Sequence, residues 1–400
     1  MTLRCVFVQF TAKPSGSPIS GLMVVDALRE AGYQVHAVFH QLGELVAEYE
    51  RRGCTVEQLP HAQWLAGGPW HRRVRRLARD LAAARRFARR FRELRPQLVY
   101  VNNLTGLAPV LAAKRCAIPC VWHLRELFDE VGGEMHAPWP GGKPLVRRWV
   151  RRLPTHVVAI SRAVAENVIG GSTLPNLSIL PNAVGDEFFH CPLTRPQARQ
   201  CFGLPQDVPI VGVPGTLRPV KGHPFFLEAF VTVVRRMPQC LAAITGDGEP
   251  RYRGQLERLA HSLNLMNKVR FLGTVNDMPA FYRACDVICI PSRSESFGRT
   301  AVEAMATGTP VVATAVGGLQ ETIQPGKTGW LVPFGDADQL GRSLLDVLDD
   351  RETTSVVAEE GRTQAAREYA DIGYRMRLIE VLGLVLPHPT CRSVTVSVDR

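Results

Sequence analysis

The sequence predicts an α/β protein made of two doubly wound parallel-sheet domains in series. Three observations point there. Short apolar strands alternate with helical patterns from residue 3 to about residue 386. The rhythm restarts near Pro209, after a stretch carrying Pro192, Pro196 and Pro205. The 400 residues also exceed what one ordinary core covers. The composition is globular, with 46% hydrophobic and 21% charged residues.

In the first half, residues 3–10 read as a strand and residues 21–31 as a helix, with Leu22, Val25, Leu28 and Arg29 at helical spacing. Gly32 ends that helix before a strand at 34–39. Further short apolar strands fall at 98–101, 120–123, 156–160 and 177–180, each bounded by polar residues, Pro or Gly. In the second half, strands are expected at 210–213, 241–245, 269–272, 287–290, 311–314 and 331–332. Helices are expected at 224–237, 251–263, 279–284, 299–307 and 337–348. Residues 182–205 read as the linker, giving domains at 1–190 and 191–370. Helical pattern resumes over 353–386, where a helix at about 371–386 is positioned to pack back on the first domain, and 387–400 reads as a loose tail. Open parallel sheets bind ligands outside the carboxyl ends of their strands, so the expected site is a cleft between the domains.

The chemistry concentrates in Pro291-Ser-Arg-Ser-Glu295-Ser-Phe297-Gly298-Arg299-Thr300-Ala-Val-Glu303. An apolar strand runs into a loop holding Glu295, and Gly298 then opens a helix. A helix start offers N–H groups without intrahelical partners and a partial positive charge, suited to phosphate or sugar hydroxyls. Gly308 suits a left-handed residue past the helix end, and Pro310 stops continuation. Glu303 either takes ribose hydroxyls, as acidic residues do in dinucleotide folds, or faces solvent. The turn Gly215-Thr216-Leu-Arg218-Pro-Val-Lys221-Gly222 follows a strand directly. It is either a diphosphate clamp, Arg acting as a fork and Lys as a point charge, or a surface turn. Gly246 either approaches a ligand or makes a tight turn. His123 ends a strand and is either a site residue or a structural histidine.

Residues 15–21, including Gly16, Ser20 and Gly21, link the first strand to the first helix, where phosphate often approaches. They do not form Gly-x-Gly-x-x-Gly, and no acidic residue closes the strand at 34–39, which argues against an NAD enzyme.

Together these motifs resemble the retaining glycosyltransferases of family 4, which have the GT-B fold. The resemblance runs from Leu3 to about Leu386. It is most specific over 269–332: Phe271-Leu-Gly273, Cys285-Asp286, both glutamates, Pro310-Val-Val-Ala-Thr with Gly317-Gly318, Glu321, and Gly326-Lys-Thr-Gly329. Pro181-Asn182-Ala183-Val184 is similar to the family's Pro-Asn-Gly-Val linker. The resemblance implies that Glu303 binds ribose hydroxyls and Glu295 the donor sugar. Backbone N–H groups around Phe297, Gly298, Arg299 and Thr300 would hold sugar and phosphate. Arg218 and Lys221 would neutralise the departing diphosphate beside Gly215. His123 would sit at the reacting sugar, with Ser20 and Gly21 close by. The family often places Arg where this chain has Thr216, and Arg218 is the nearest alternative. Transfer from a UDP- or GDP-sugar to a hydroxyl, with retention and without a metal, is the implied reaction. Glycans, lipid-linked sugars or small molecules are the implied acceptors, and cell-surface polysaccharide or glycolipid the implied product.

The charge is uneven. Residues 1–190 hold 25 Lys and Arg against 15 Asp and Glu, whereas 191–400 hold 23 against 22. Residues 71–95 carry 11 Arg, with Val74, Leu77, Leu81, Ala84, Ala88 and Phe91 at 3–4 spacing, and 147–152 form a second basic stretch. These segments, Arg72–Arg95 and Arg147–Arg152, read either as a solvated face over the first sheet or as a contact for anionic membrane. Interleaved aromatics and a recognised module are missing, which argues against nucleic acid. A catalytically silent nucleotide-sugar-binding subunit is the other alternative. The ten cysteines include no Cys-x-x-Cys, and Cys116/Cys120 and Cys285/Cys289 have no nearby His, so buried thiols are expected rather than a metal site. The first ten residues are too short and polar for a signal h-region, and no run of about 18 apolar residues occurs, so a cytoplasmic protein, peripheral at most, is expected.

Overall fold

A computed structural model describes residues 3–14, 16–65, 67–128, 135–138 and 140–386. Ser15 and the expected tail at 387–400 lie outside the described residues. The described chain forms two compact units, residues 3–182 with 372–386, and residues 183–371.

The first unit is built on seven parallel strands: β1 (Leu3–Thr11), β2 (Tyr33–Gln41), β3 (Thr55–Gln58), β4 (Leu98–Val101), β5 (Cys120–Leu124), β6 (His156–Ala159) and β7 (Leu177–Ile179). Their order is β3-β2-β1-β4-β5-β6-β7. The inner strands β4, β5 and β6 are buried along their whole length, as a sheet covered on both faces requires. The edge strand β3 was not expected, because Thr55-Val-Glu-Gln58 carries a single apolar residue; pairing of His36 to Phe39 with Thr55 to Gln58 makes it a strand.

Two further features of this unit differ from expectation. The first helix spans Gly16–Glu30 and starts five residues early. Gly21 therefore lies inside it rather than in a turn. A Cβ there would come within 2.5 Å of Tyr49 Oη and 3.2 Å of the Phe7 ring, so this glycine serves helix–sheet packing. The basic helix, Trp70–Leu94, buries Asp80, Ala83, Phe87, Ala88 and Phe91. That face is rotated from the expected stripe and leaves Leu81 43% exposed. The aromatic pair Phe87 and Phe91, with ring centroids 5.8 Å apart, decides the face, since aromatic rings bury more apolar area than Leu77 and Leu81 would.

The second unit has six parallel strands: β8 (Ile210–Val213), β9 (Leu241–Thr245), β10 (Val269–Gly273), β11 (Val287–Ile290), β12 (Val311–Thr314) and β13 (Trp330–Val332), in the order β10-β9-β8-β11-β12-β13. One layer of its core joins Val211, Val213, Phe226, Phe230, Cys289, Leu340 and Leu344. Each large apolar side chain buried there contributes about 1.5–3 kcal/mol.

The chain first passes between units after Asn182, at the start of the expected linker rather than at residue 190. The cause is local: Val184 N–H donates to Tyr369 O at 3.0 Å, and Val184 bridges Ala370, which ties the segment to the second unit. The terminal helix Asp371–Val385 belongs to the first unit from Ile372 onward. Strand order reverses between β1 and β4 in one sheet and between β8 and β11 in the other. Loops diverge at such points and leave a crevice for ligands. Among the described residues no helix is long and apolar enough to cross a membrane.

Candidate active site

In the second unit, the reversal between β8 and β11 gathers most of the residues singled out above. The loop after β8 turns through Gly215 (φ +129°) and a 3-10 turn, Pro219–Lys221, that ends at Gly222 (φ +70°). The loop after β11 lies directly on it: Arg293 N–H donates to Val220 O at 2.8 Å. A Cβ on Gly222 would fall 1.9 Å from Pro291 O, so only glycine allows this approach.

The two loops meet through side chains as well. Lys221 Nζ donates to Glu295 Oε2 at 2.7 Å, and Ser292 Oγ donates to the same oxygen at 3.3 Å. The loop after β12 supports Glu295 from behind. Thr314 Oγ1 donates to Ser292 O at 2.6 Å, and Gly318 N–H donates to Glu295 O at 2.9 Å. Gly317 (φ +47°) approaches so closely that a Cβ would lie 2.1 Å from Glu295 O.

Gly298 (φ +90°) then starts the helix Arg299–Ala306. No side chain caps that start, and N–H groups of a first helical turn have no intrahelical acceptor. Phe297 is buried against Tyr369, and Thr322 Oγ1 donates to Phe297 O at 2.9 Å, which fixes the approach to the helix. The helix N-terminus, with Arg299 and Thr300 in its first turn, therefore follows directly on the Lys221–Glu295 pair.

Glu303 is 8% exposed, which excludes the solvent-facing reading. Its Oε1 accepts from Arg299 Nε and its Oε2 from Tyr282 Oη, each at 2.7 Å. Tyr282 is fully buried; burial and the adjacent carboxylate push its phenol well above the usual range, so it stays a donor. A carboxylate oxygen has capacity beyond one bond, so Glu303 is a rigid acceptor with room for further donors. Sequence reasoning missed Tyr282, whose helix, Met278–Ala284, reads simply as sheet cover.

Two assignments sit differently. Arg218 is exposed, whereas Lys221 makes the contact with Glu295. Gly246 (φ +95°) would place a Cβ 2.2 Å from Gly215 O. It packs the turn after β9 onto the turn after β8, and Leu217 N–H donates to Asp247 O at 3.0 Å beside it. The tight-turn reading describes that contact.

In the first unit, His123 lies within β5 and is fully buried. Nδ1 is 2.6 Å from Tyr100 Oη and 3.3 Å from Arg125 Nη2. Arg125 also donates through Nε to Asn102 Oδ1 at 2.8 Å, through Nη1 to Asn182 Oδ1, and to Tyr374 Oη at 3.3 Å. Asn102 Nδ2 donates to Gln9 Oε1 at 2.6 Å, and Gln9 Nε2 to Ser17 Oγ at 3.1 Å. This network spans the reversal between β1 and β4. Burial, then the nearby Arg125 charge, hold the His123 imidazole well below its ordinary pKa.

Residues 194–364 match the family model of glycosyl transferases group 1, and residues 20–183 match the glycosyl transferase 4-like domain. The chain belongs to this glycosyltransferase family, and its two parallel-sheet Rossmann-like domains are of the GT-B class. It is 37% identical over 177 residues to a D-inositol 3-phosphate glycosyltransferase of Corynebacterium urealyticum, covering 42% of each chain. It is 32% identical to one from Xylanimonas cellulosilytica, over 61% of this chain and 62% of that one. It is 28% identical to the lipopolysaccharide core biosynthesis mannosyltransferase LpsB of Rhizobium meliloti, over 62% of this chain and 68% of that one. The match thus spans about two-fifths to two-thirds of these relatives' lengths. Anabaena HepE, crystallised with UDP-glucose, shares the fold with a TM-score of 0.79 at 23% identity, over 96% of this chain and all of that one. Sucrose-phosphate synthase from Thermosynechococcus elongatus gives 0.79 at 22% identity, over 96% of this chain and 99% of that one.

Proposed function

We propose that this chain transfers a sugar, with retention, from a UDP- or GDP-linked donor to a hydroxyl acceptor in cell-surface polysaccharide or glycolipid synthesis. The observation that carries the reading is the Lys221–Glu295 pair beside buried Glu303, at the reversal between β8 and β11. Glu303 takes the ribose hydroxyls. Glu295 takes hydroxyls of the sugar and, before the donor arrives, holds Lys221 in place. As the sugar–phosphate bond breaks, negative charge grows on the diphosphate. Lys221, the uncapped helix start at Gly298 and the exposed Arg218 are the groups of this chain that answer it, so no divalent cation is required.

The names of the relatives support the transfer of sugars to inositol phosphate or lipopolysaccharide-type acceptors, and the UDP-glucose complex of HepE supports a UDP-sugar donor. The basic helix supports contact with an anionic membrane surface, because Trp70 (61% exposed) and Leu81 (43% exposed) stand among its arginines. The test is transfer with a panel of nucleotide-sugars, with and without EDTA, and product stereochemistry read by NMR. Retention at the anomeric carbon and indifference to EDTA are expected; an inverted product or a lost rate with EDTA sinks the scheme.

A further inference from the structure

Arg125 is a buried cation without an obvious structural reason. It is 4% exposed, and the partners described above, Asn102, Asn182, His123 and Tyr374, are all neutral. Taking a guanidinium out of water costs several kcal/mol unless its donors are all used. The fate of the His123 proton supplies a reason.

Arginine has five N–H donors and no acceptor. Its bond to His123 Nδ1 exists only if that nitrogen carries a lone pair. Tyr100 Oη, on the same nitrogen at 2.6 Å, then donates too. Both neighbours therefore push the ring proton to Nε2. Among the described residues Nε2 is buried and has no hydrogen-bond partner. A buried donor left unmet costs about 1–3 kcal/mol, so this atom is one that a ligand would satisfy.

We propose that Arg125 is a positioning residue that locks His123 as a neutral imidazole protonated on Nε2, so that its open edge offers a hydrogen bond to an oxygen of a bound sugar or phosphate. The ligand half of this statement rests on the transferase reading; the tautomer half does not. In this arrangement His123 is neither a general base nor a cation. The groups that face it are Tyr100 from β4, Arg125 from the end of its own strand, and Tyr374 beyond Arg125 from the terminal helix. Glu126 turns to the amide N–H groups of Leu104 and Arg125 instead. Among the described residues Arg125 is the charge that bears on the ring, and a cation disfavours imidazolium.

The test is two-bond 15N–1H correlation of histidine-labelled protein between pH 5.5 and 8, with the His123 signal assigned by its loss in His123→Gln. A bare Nδ1, a protonated Nε2 and no titration are expected. In Arg125→Met the ring is expected to titrate or to exchange tautomers. A protonated Nδ1 in the wild type, or an unaltered ring in Arg125→Met, overturns the proposal. Should Arg125→Met fail to fold, Tyr100→Phe serves: the Nε2 tautomer is expected to persist on Arg125 alone, and a switch to Nδ1–H overturns it. Kinetics separate the two halves. His123→Gln is expected to lower kcat/KM for the donor about tenfold, the upper value of one neutral hydrogen bond. An unchanged kcat/KM with the tautomer fixed overturns the ligand half alone.

Discussion

Lys221 Nζ lies 2.7 Å from Glu295 Oε2 and joins the loops that leave β8 and β11. The pair is 25% and 13% exposed in its side chains, so water screens it in part. Its expected value lies in the chemistry rather than in stability, since such pairs contribute about 0–1 kcal/mol to folding. Lys221→Met is expected to lower kcat about 100- to 1000-fold, the usual cost of removing one donor to developing charge, with a Tm shift of a few degrees at most. Steady-state kinetics and calorimetry on one preparation check both. A large loss of Tm with kcat intact would make the pair structural.

Glu303 and its two donors separate binding from chemistry. Tyr282→Phe removes the bond to Oε2 and leaves a buried carboxylate short of a partner, at a stability cost of about 1–3 kcal/mol. The donor KM is expected to rise while kcat holds, because ribose contacts act alike in ground and transition states. A fall in kcat with KM unchanged would move Glu303 from the ribose to the reacting centre.

Gly222→Ala tests the seam between the loops. The position has φ +70°, and an added Cβ would lie 1.9 Å from Pro291 O. Left-handed strain costs about 1 kcal/mol, and the clash forces the loops apart. A drop in kcat larger than that of Gly326→Ala is expected, because Gly326 (φ +71°) meets nothing within 4 Å. Equal effects would show that backbone strain alone matters.

Much of this was legible in advance. Alternating apolar runs located nearly every strand, and Glu295, Glu303 and Lys221 stood out by their place after strands. What escaped has physical causes. Thr55–Gln58 has a strand's geometry only through its neighbour β2. Gly21 looked like a turn residue because a glycine needed for close packing and one needed for a turn are the same letter. Tyr282 and Arg125 bond to residues 21 and 57 positions away, Glu303 and Asn182, and no local pattern encodes such distances. The basic helix was expected to bury the stripe from Val74 through Leu81 to Phe91, and the burial of Phe87, whose ring meets that of His61 at 5.5 Å, turned its face.

Asp80 gives a pH signature. It is fully buried in the basic helix and accepts from Ala62 N–H at 3.2 Å. Burial pushes its carboxyl up to about 8 from an ordinary 3.8. The folded state therefore binds the proton more tightly than the unfolded state. Stability from this group is full below about pH 4 and declines as pH rises toward 8. Asp80→Asn is expected to flatten that decline, so its Tm relative to wild type should improve from pH 5 to pH 8. A constant difference between the two would contradict the buried, protonated acid.

The most direct test is thermal stabilisation by nucleotide-sugars of wild type and Glu303→Ala. A ligand at 100 times its Kd adds about 2.7 kcal/mol. UDP- or GDP-sugars are expected to raise the wild-type Tm and to lose most of that effect in Glu303→Ala, each shift being read against that protein's own ligand-free Tm, which the variant lowers by leaving the buried Tyr282 hydroxyl without its acceptor. Equal stabilisation of both proteins, or none in the wild type, would contradict a donor site built on Lys221, Glu295 and Glu303.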